Sequence, residues 1–192
     1  MQASKKIESY PHQSLAQWDP AFPAGRIDRL YLHWSAGNYS DVFPAYHFCI
    51  AYDAKTVTVV NTHRIEANMR DLRLDPDAEY AAHTRGRNSF ALGLSIMGMQ
   101  AARPDDFGPY PLTEPLIAGL CRVAARLASF YAIPVDEAHV LTHAEAAVAD
   151  GYFGTGQDER WDIARLAAGP RPLLSADARI AGTELRDRIL AV

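Results

Sequence analysis

The apolar positions of this chain fall first into short runs spaced for strands and later into two long runs spaced for helices. Residues 27–34 (IDRLYLHW) alternate polar with apolar at their start and are rich in aromatic, leucine and β-branched side chains. That pattern predicts a strand ending in the turn SAGN. Residues 46–52 (YHFCIAY) and 56–62 (TVTVVNT) are two further strand candidates, and the link 53–55 (DAK) suits a hairpin that makes them antiparallel neighbours. Residues 90–97 (FALGLSIM) are apolar throughout and bounded by Asn88, Ser89 and Gly98, which predicts a central strand buried on both faces.

Helical spacing takes over further along. Leu116, Leu120, Val123, Leu127 and Phe130 recur at three- and four-residue steps, with Thr113 placed as N-cap and Pro115 in the first turn, so a helix over 116–131 should pack on the sheet. Residues 140–142 form a short extended piece leading into His143, and 176–190 read as a terminal helix. Residues 1–26 are polar, interrupted by proline, and carry no sustained period; they are expected to form an arm wrapping the domain. The expected organisation is the arm at 1–26, one domain over 27–170, and a helix within 171–192 packed on that domain. The fold class is α/β, a mixed central sheet flanked by helices.

With 192 residues, 48% of them apolar, the chain has enough material for one core and too little for two large domains. A formal charge of −4 argues against a partner held by bulk positive charge, so neither nucleic acid nor an anionic membrane is expected, and an anionic substrate must be met locally. Cys49 and Cys121 each sit in an apolar run, the usual setting of buried free thiols. The N-terminus holds no apolar stretch of secretory length, which makes a soluble, cytoplasmic product the expectation; separately, a monomer is expected.

Among seven histidines, His33 and His143 stand out, because each follows a strand-like approach (LYLHW and HVLTH) and precedes residues that leave the sheet. Side chains at strand ends can be held rigidly toward one cleft. A catalytic zinc takes three protein ligands from His, Asp, Glu or Cys and keeps a fourth position open to water. Asp162, in ERWDIARL at the expected start of a short helix, is a third ligand on this reading and an N-cap on another; Asp150 and Asp158 are its rivals.

The ordered pieces LHWSAG, AYHF, AAHTRGRNS, ALGLSIMG, THAE and RWDIARL resemble the family 2 N-acetylmuramoyl-L-alanine amidases, which share a fold with phage lysozyme-type amidases and animal peptidoglycan recognition proteins. The resemblance spans about residues 27–168. It implies zinc held by His33, His143 and Asp162, a catalytic tyrosine at Tyr46, and a substrate groove lined by His83. Where relatives often place a lysine, two residues before the third ligand, this chain has Arg160, whose permanent charge suits it to stabilise a developing oxyanion. Where the recycling amidases carry a catalytic Glu on the ALGLSIMG strand, this chain has Ser95. The resemblance therefore leans toward the phage-type, wall-lysing enzymes.

Several residues keep two readings. Arg85 and Arg87 suit the carboxylates of stem peptides as two-pronged donors, or are solvated loop residues, and Asn88 lies in the same candidate substrate loop. Glu145 either orients His143 or caps the helix that begins there. His47, next to Tyr46, should face away from the site and be structural, while His12, His63 and His139 read as surface residues. The implied function is hydrolysis of the amide between N-acetylmuramic acid and L-alanine in peptidoglycan or muropeptides. A recycling amidase and a non-catalytic peptidoglycan-binding module are the alternatives.

Overall fold

The computed structural model describes residues 4–75 and 77–192, which leaves the first three residues of the expected arm outside the described residues. Its strands are β1 (Lys5–Lys6), β2 (His12–Ser14), β3 (Arg29–Trp34), β4 (Asp41–Val42), β5 (Phe48–Tyr52), β6 (Val57–Asn61), β7 (Ala91–Ile96) and β8 (Val140–Thr142). The helices are α1 (Glu114–Tyr131), α2 (His143–Asp150) and α3 (Ser175–Leu190). Six strands form one mixed sheet in the order β2-β6-β5-β7-β3-β8, with β5, β7, β3 and β8 parallel and β6 antiparallel to both its neighbours. The α/β class and the central position of β7, buried along its whole length, agree with the sequence.

The hairpin between β5 and β6 has a local cause. The Asp53 carboxylate accepts from the backbone N–H groups of Lys55 (2.9 Å) and Thr56 (2.6 Å), closing an Asx turn around Ala54, whose φ is 70°. The arm is less irregular than its polar sequence suggests. β2 adds to the sheet edge against β6, and β1 pairs with β4 in a separate ribbon.

Period-two alternation sorts the sheet into two faces. Leu30, Leu32 and Trp34 of β3, Phe48 and Ile50 of β5, and Leu92, Leu94 and Ile96 of β7 join the main core with Leu116, Leu120, Val123 and Leu127 of α1 and Leu185 and Ile189 of α3. Phe130 departs from its expected core position: it is half exposed at the end of α1 and packs against Phe22 and Tyr131. Thr113 does stand at the N-cap of α1, with Pro115 in the first turn, but its side chain makes no capping bond. The second face carries His33 on β3, Gly93 and Ser95 on β7, and Cys49 and Ala51 on β5, residues that are small, polar or both. Cys49 and Cys121 are buried and free. No helix among the described residues is long and apolar enough to cross a membrane.

Candidate metal centre

His33 stands one residue from the end of β3, and its alternation with Leu32 and Trp34 turns its ring to the second face, where it is fully buried. His143 is the first residue of α2. Thr142 caps that helix through a reciprocal box in which its hydroxyl accepts from Glu145 N–H (3.1 Å) and the Glu145 carboxylate accepts from Thr142 N–H (2.9 Å). Glu145 thus takes the capping role of its two readings. Asp162 arrives from a turn rather than from the expected helix start. Ile163 adopts a left-handed φ of 56°, and the Asp162 carbonyl accepts from Ala144 N–H at 3.1 Å, fastening the turn to the beginning of α2.

These three side chains converge. His33 Nδ1 lies 2.9 Å and His143 Nδ1 3.0 Å from the same Asp162 oxygen, Oδ2, and the three prospective ligand atoms all lie within 4.8 Å of one another. Ligands around a tetrahedral zinc with bonds of ~2.0–2.1 Å stand roughly 3.3 Å apart, so the group is close to the required spacing. Hydrogen bonding around His83 tells which nitrogen of His33 is free. The Ala91 carbonyl can only accept, so His83 carries its proton on Nε2 (3.4 Å) and its Nδ1 accepts from the Thr84 hydroxyl (3.0 Å). The Thr84 oxygen then accepts from His33 Nε2 (3.2 Å), leaving His33 Nδ1 as a bare lone pair aimed at a carboxylate. Two acceptors at 2.9 Å repel unless a cation stands between them, and a buried His, His, carboxylate set is a donor set that could hold one.

Electrostatics agree with that arrangement. Burial lowers the His33 pKa to about 4, against the opposing pull of Asp162, so the ring is neutral at physiological pH. Burial alone would raise the Asp162 pKa, but charge and hydrogen bonding from His143 lead the opposing causes, which outweigh it and keep the carboxylate ionised. Tyr46 lies with its ring 5.0 Å from that of His33 and its hydroxyl 3.4 Å from the Trp34 carbonyl. Burial, followed by the charge of Asp162, pushes its pKa well above the usual tyrosine range, so the phenol remains protonated.

The remaining predicted residues are less uniform in placement. His83 is buried behind His33 rather than in an open groove wall, with ring centroids 5.6 Å apart. Gly93 makes this possible, since a Cβ there would fall within the His83 ring. Asn88 holds the loop above it, its side-chain oxygen accepting from the N–H groups of His83 and Thr84. Arg87 is committed to Asp150 by two bonds of 2.6 and 2.7 Å, which also keeps Asp150 out of the candidate metal group. Arg85 is exposed, its guanidinium 5.7 Å over the Tyr152 ring. Arg160 is exposed and donates to the Glu159 carbonyl at 2.7 Å, while Asp158 lies on the surface. His47 is buried, as its structural reading requires, with Nδ1 accepting from Gly93 N–H (3.1 Å). His63 is not the surface residue expected: its side chain is 9% exposed and faces His47. Beside it a cavity of about 510 Å³ opens between the arm and the Tyr46 loop, lined by Lys5, Tyr10, Pro44, His63 and Arg64.

Thr84 and Arg186 were not singled out from the sequence. Thr84 follows His83 directly, a position that could have drawn notice. Arg186 sits in the terminal helix, where charged residues are interleaved among apolar ones and none stands out by spacing.

Fold and site together define an α/β domain whose buried His, His, Asp group suits metal-assisted hydrolysis. Compared with known families, residues 16–161 match the N-acetylmuramoyl-L-alanine amidases, and the chain belongs to that family. It is thus an amidase-type hydrolase directed at peptidoglycan, as the resemblance implied. The match includes His33, Tyr46, His83, His143 and Arg160 and stops one residue before Asp162. No curated protein matches the chain.

Proposed function

We propose that this protein is a zinc-dependent N-acetylmuramoyl-L-alanine amidase that hydrolyses the amide joining N-acetylmuramic acid to L-alanine, in the manner of a phage or prophage wall-lysing enzyme. The observation that carries the reading is the convergence of His33 Nδ1 and His143 Nδ1 on one oxygen of Asp162, with the His83–Thr84–His33 hydrogen bonds leaving His33 Nδ1 bare. His33, His143 and Asp162 would hold the ion. When bound, zinc polarises the scissile carbonyl and lowers the pKa of water toward about 7.

The other roles belong to the chain itself. Tyr46, kept neutral, enters as a hydrogen-bond donor beside the reacting atoms. Arg160 supplies positive charge to the developing oxyanion; its charge is already among those lowering the Tyr46 pKa. In the loop from His83 to Asn88, Arg85 is the guanidinium without a carboxylate partner among the described residues and meets substrate carboxylates, while His83 and Asn88 support that loop from beneath. Ser95 on the site face, where recycling relatives carry Glu, favours intact wall over small muropeptides as substrate.

The deciding experiment incubates the protein with intact sacculi and with soluble muropeptides, with chelator and after adding back zinc, and identifies products by mass spectrometry. Stem peptides freed with an L-alanine N-terminus, lost on chelation and restored by zinc, establish the activity. Cleavage of soluble muropeptides alone assigns the recycling role. Metal-loaded protein that binds sacculi and cuts neither substrate overturns the enzyme reading.

A further inference from the structure

α3 lies wholly beyond the family match at residues 16–161, yet it sends a buried arginine to the start of the helix that carries a metal ligand. Arg186 is 8% exposed, and its guanidinium meets the Glu145 carboxylate as a fork, Nη1 to Oε2 and Nη2 to Oε1, both at 3.0 Å. Nη1 also donates to the Val140 carbonyl at 3.0 Å. Val140 lies three residues before His143 and Glu145 two residues after it, so one guanidinium brackets the ligand from both sides. Gly182, one turn earlier on α3, leaves the space that the Glu145 carboxylate occupies, because a Cβ there would overlap it.

Two nearby charges buried in this way are costly to desolvate and are a poor means of adding stability alone. What the fork adds is geometry. Glu145 Oε2 also accepts from Thr142 N–H, so the arginine fixes the carboxylate that closes the capping box, and the box sets the first turn of α2 from which His143 reaches Asp162. We infer that Arg186 is a positioning residue for the metal centre: acting through Glu145 and Val140, it aims His143, and α3 is thereby a working part of the amidase. This inference rests on the metal reading proposed above.

The test measures zinc affinity in full-length protein by competition with a chromophoric chelator, alongside circular dichroism and thermal melting of the metal-free form. Arg186→Lys keeps the charge and loses the fork. Glu145→Gln combined with Arg186→Met removes both charges, keeps an acceptor for Thr142 N–H and leaves no unpaired buried ion, so it provides a folded comparison if the lysine variant unfolds. Folded variants are expected to bind zinc about 10- to 100-fold more weakly than wild type, the usual effect of losing support behind a ligand. Wild-type zinc affinity in a variant that folds, even with a lowered melting temperature, assigns Arg186 to stability only and overturns the inference. Failure of the wild-type protein itself to bind zinc instead overturns the metal reading.

Discussion

Thr84 Oγ1 lies 3.2 Å from Nε2 of His33, the ring nitrogen opposite the one that meets Asp162. The hydroxyl, donating to His83 and accepting from His33, selects the His33 tautomer with a bare Nδ1. Thr84→Val keeps the shape and deletes the acceptor. Zinc affinity should fall by about 10-fold, read by chelator competition; an unaltered affinity would show that the hydroxyl does not select the tautomer.

Asp162 and Tyr46 should separate binding from turnover. Asp162→Ala removes the oxygen on which both histidines converge, so bound zinc and activity should disappear together, as metal analysis and the sacculus assay would report. Tyr46→Phe retains all three ligands. Zinc content should hold while kcat drops by about 10²–10⁴-fold, the range for a lost proton-handling group. Zinc loss in the phenylalanine variant would make Tyr46 a structural support.

Gly93 is the site-face position where no side chain fits. Gly93→Ala would press a methyl group into His83 and, through Thr84, disturb His33. Overpacking of this kind costs about 1–3 kcal/mol, and each kcal/mol lowers Tm by ~2–4 °C in a chain of this size. A melting temperature equal to wild type would mean that the His83 ring has room to shift.

Burial, reinforced by the proximity of His63, lowers the His47 pKa from 6.5 to about 3. Above pH 6.5 the ring is neutral in both folded and unfolded chains, so it contributes no pH dependence. Below it the unfolded chain takes up a proton that the folded chain refuses, and stability falls by up to ~1.4 kcal/mol per pH unit until about pH 3. Chemical denaturation of metal-free protein between pH 7 and pH 4 should show this loss, and His47→Gln should flatten the curve. An identical slope in the variant would place the titration elsewhere.

Much of this architecture was readable from spacing because strong alternation and strong helical periods left few choices. The segments 27–34 and 90–97 became β3 and β7, and 116–131 became most of α1. β1 and β2 escaped notice because strands of two and three residues, KK and HQS, are too short to show a period. The site divides in the same way. His33 and His143 announced themselves at strand ends, but the Asp162 assignment came from resemblance, since its turn gives no periodic signal. Arg186 was missed because its partner stands 41 residues away and arginine on a helix ordinarily faces water.

The alternation along β3 separates two kinds of failure. Leu30, Leu32 and Trp34 face the main core, while Tyr31 and His33 face the opposite side of the sheet, where His33 joins the candidate metal group. Substitutions at the first set should reduce how much folded protein a cell accumulates, and substitutions at His33 should leave that yield intact while silencing each molecule. A single-residue deletion within the strand would exchange the two sets and do both at once. This segment therefore tolerates point changes far better than changes of length, and variants selected for altered chemistry can keep its core-facing half untouched.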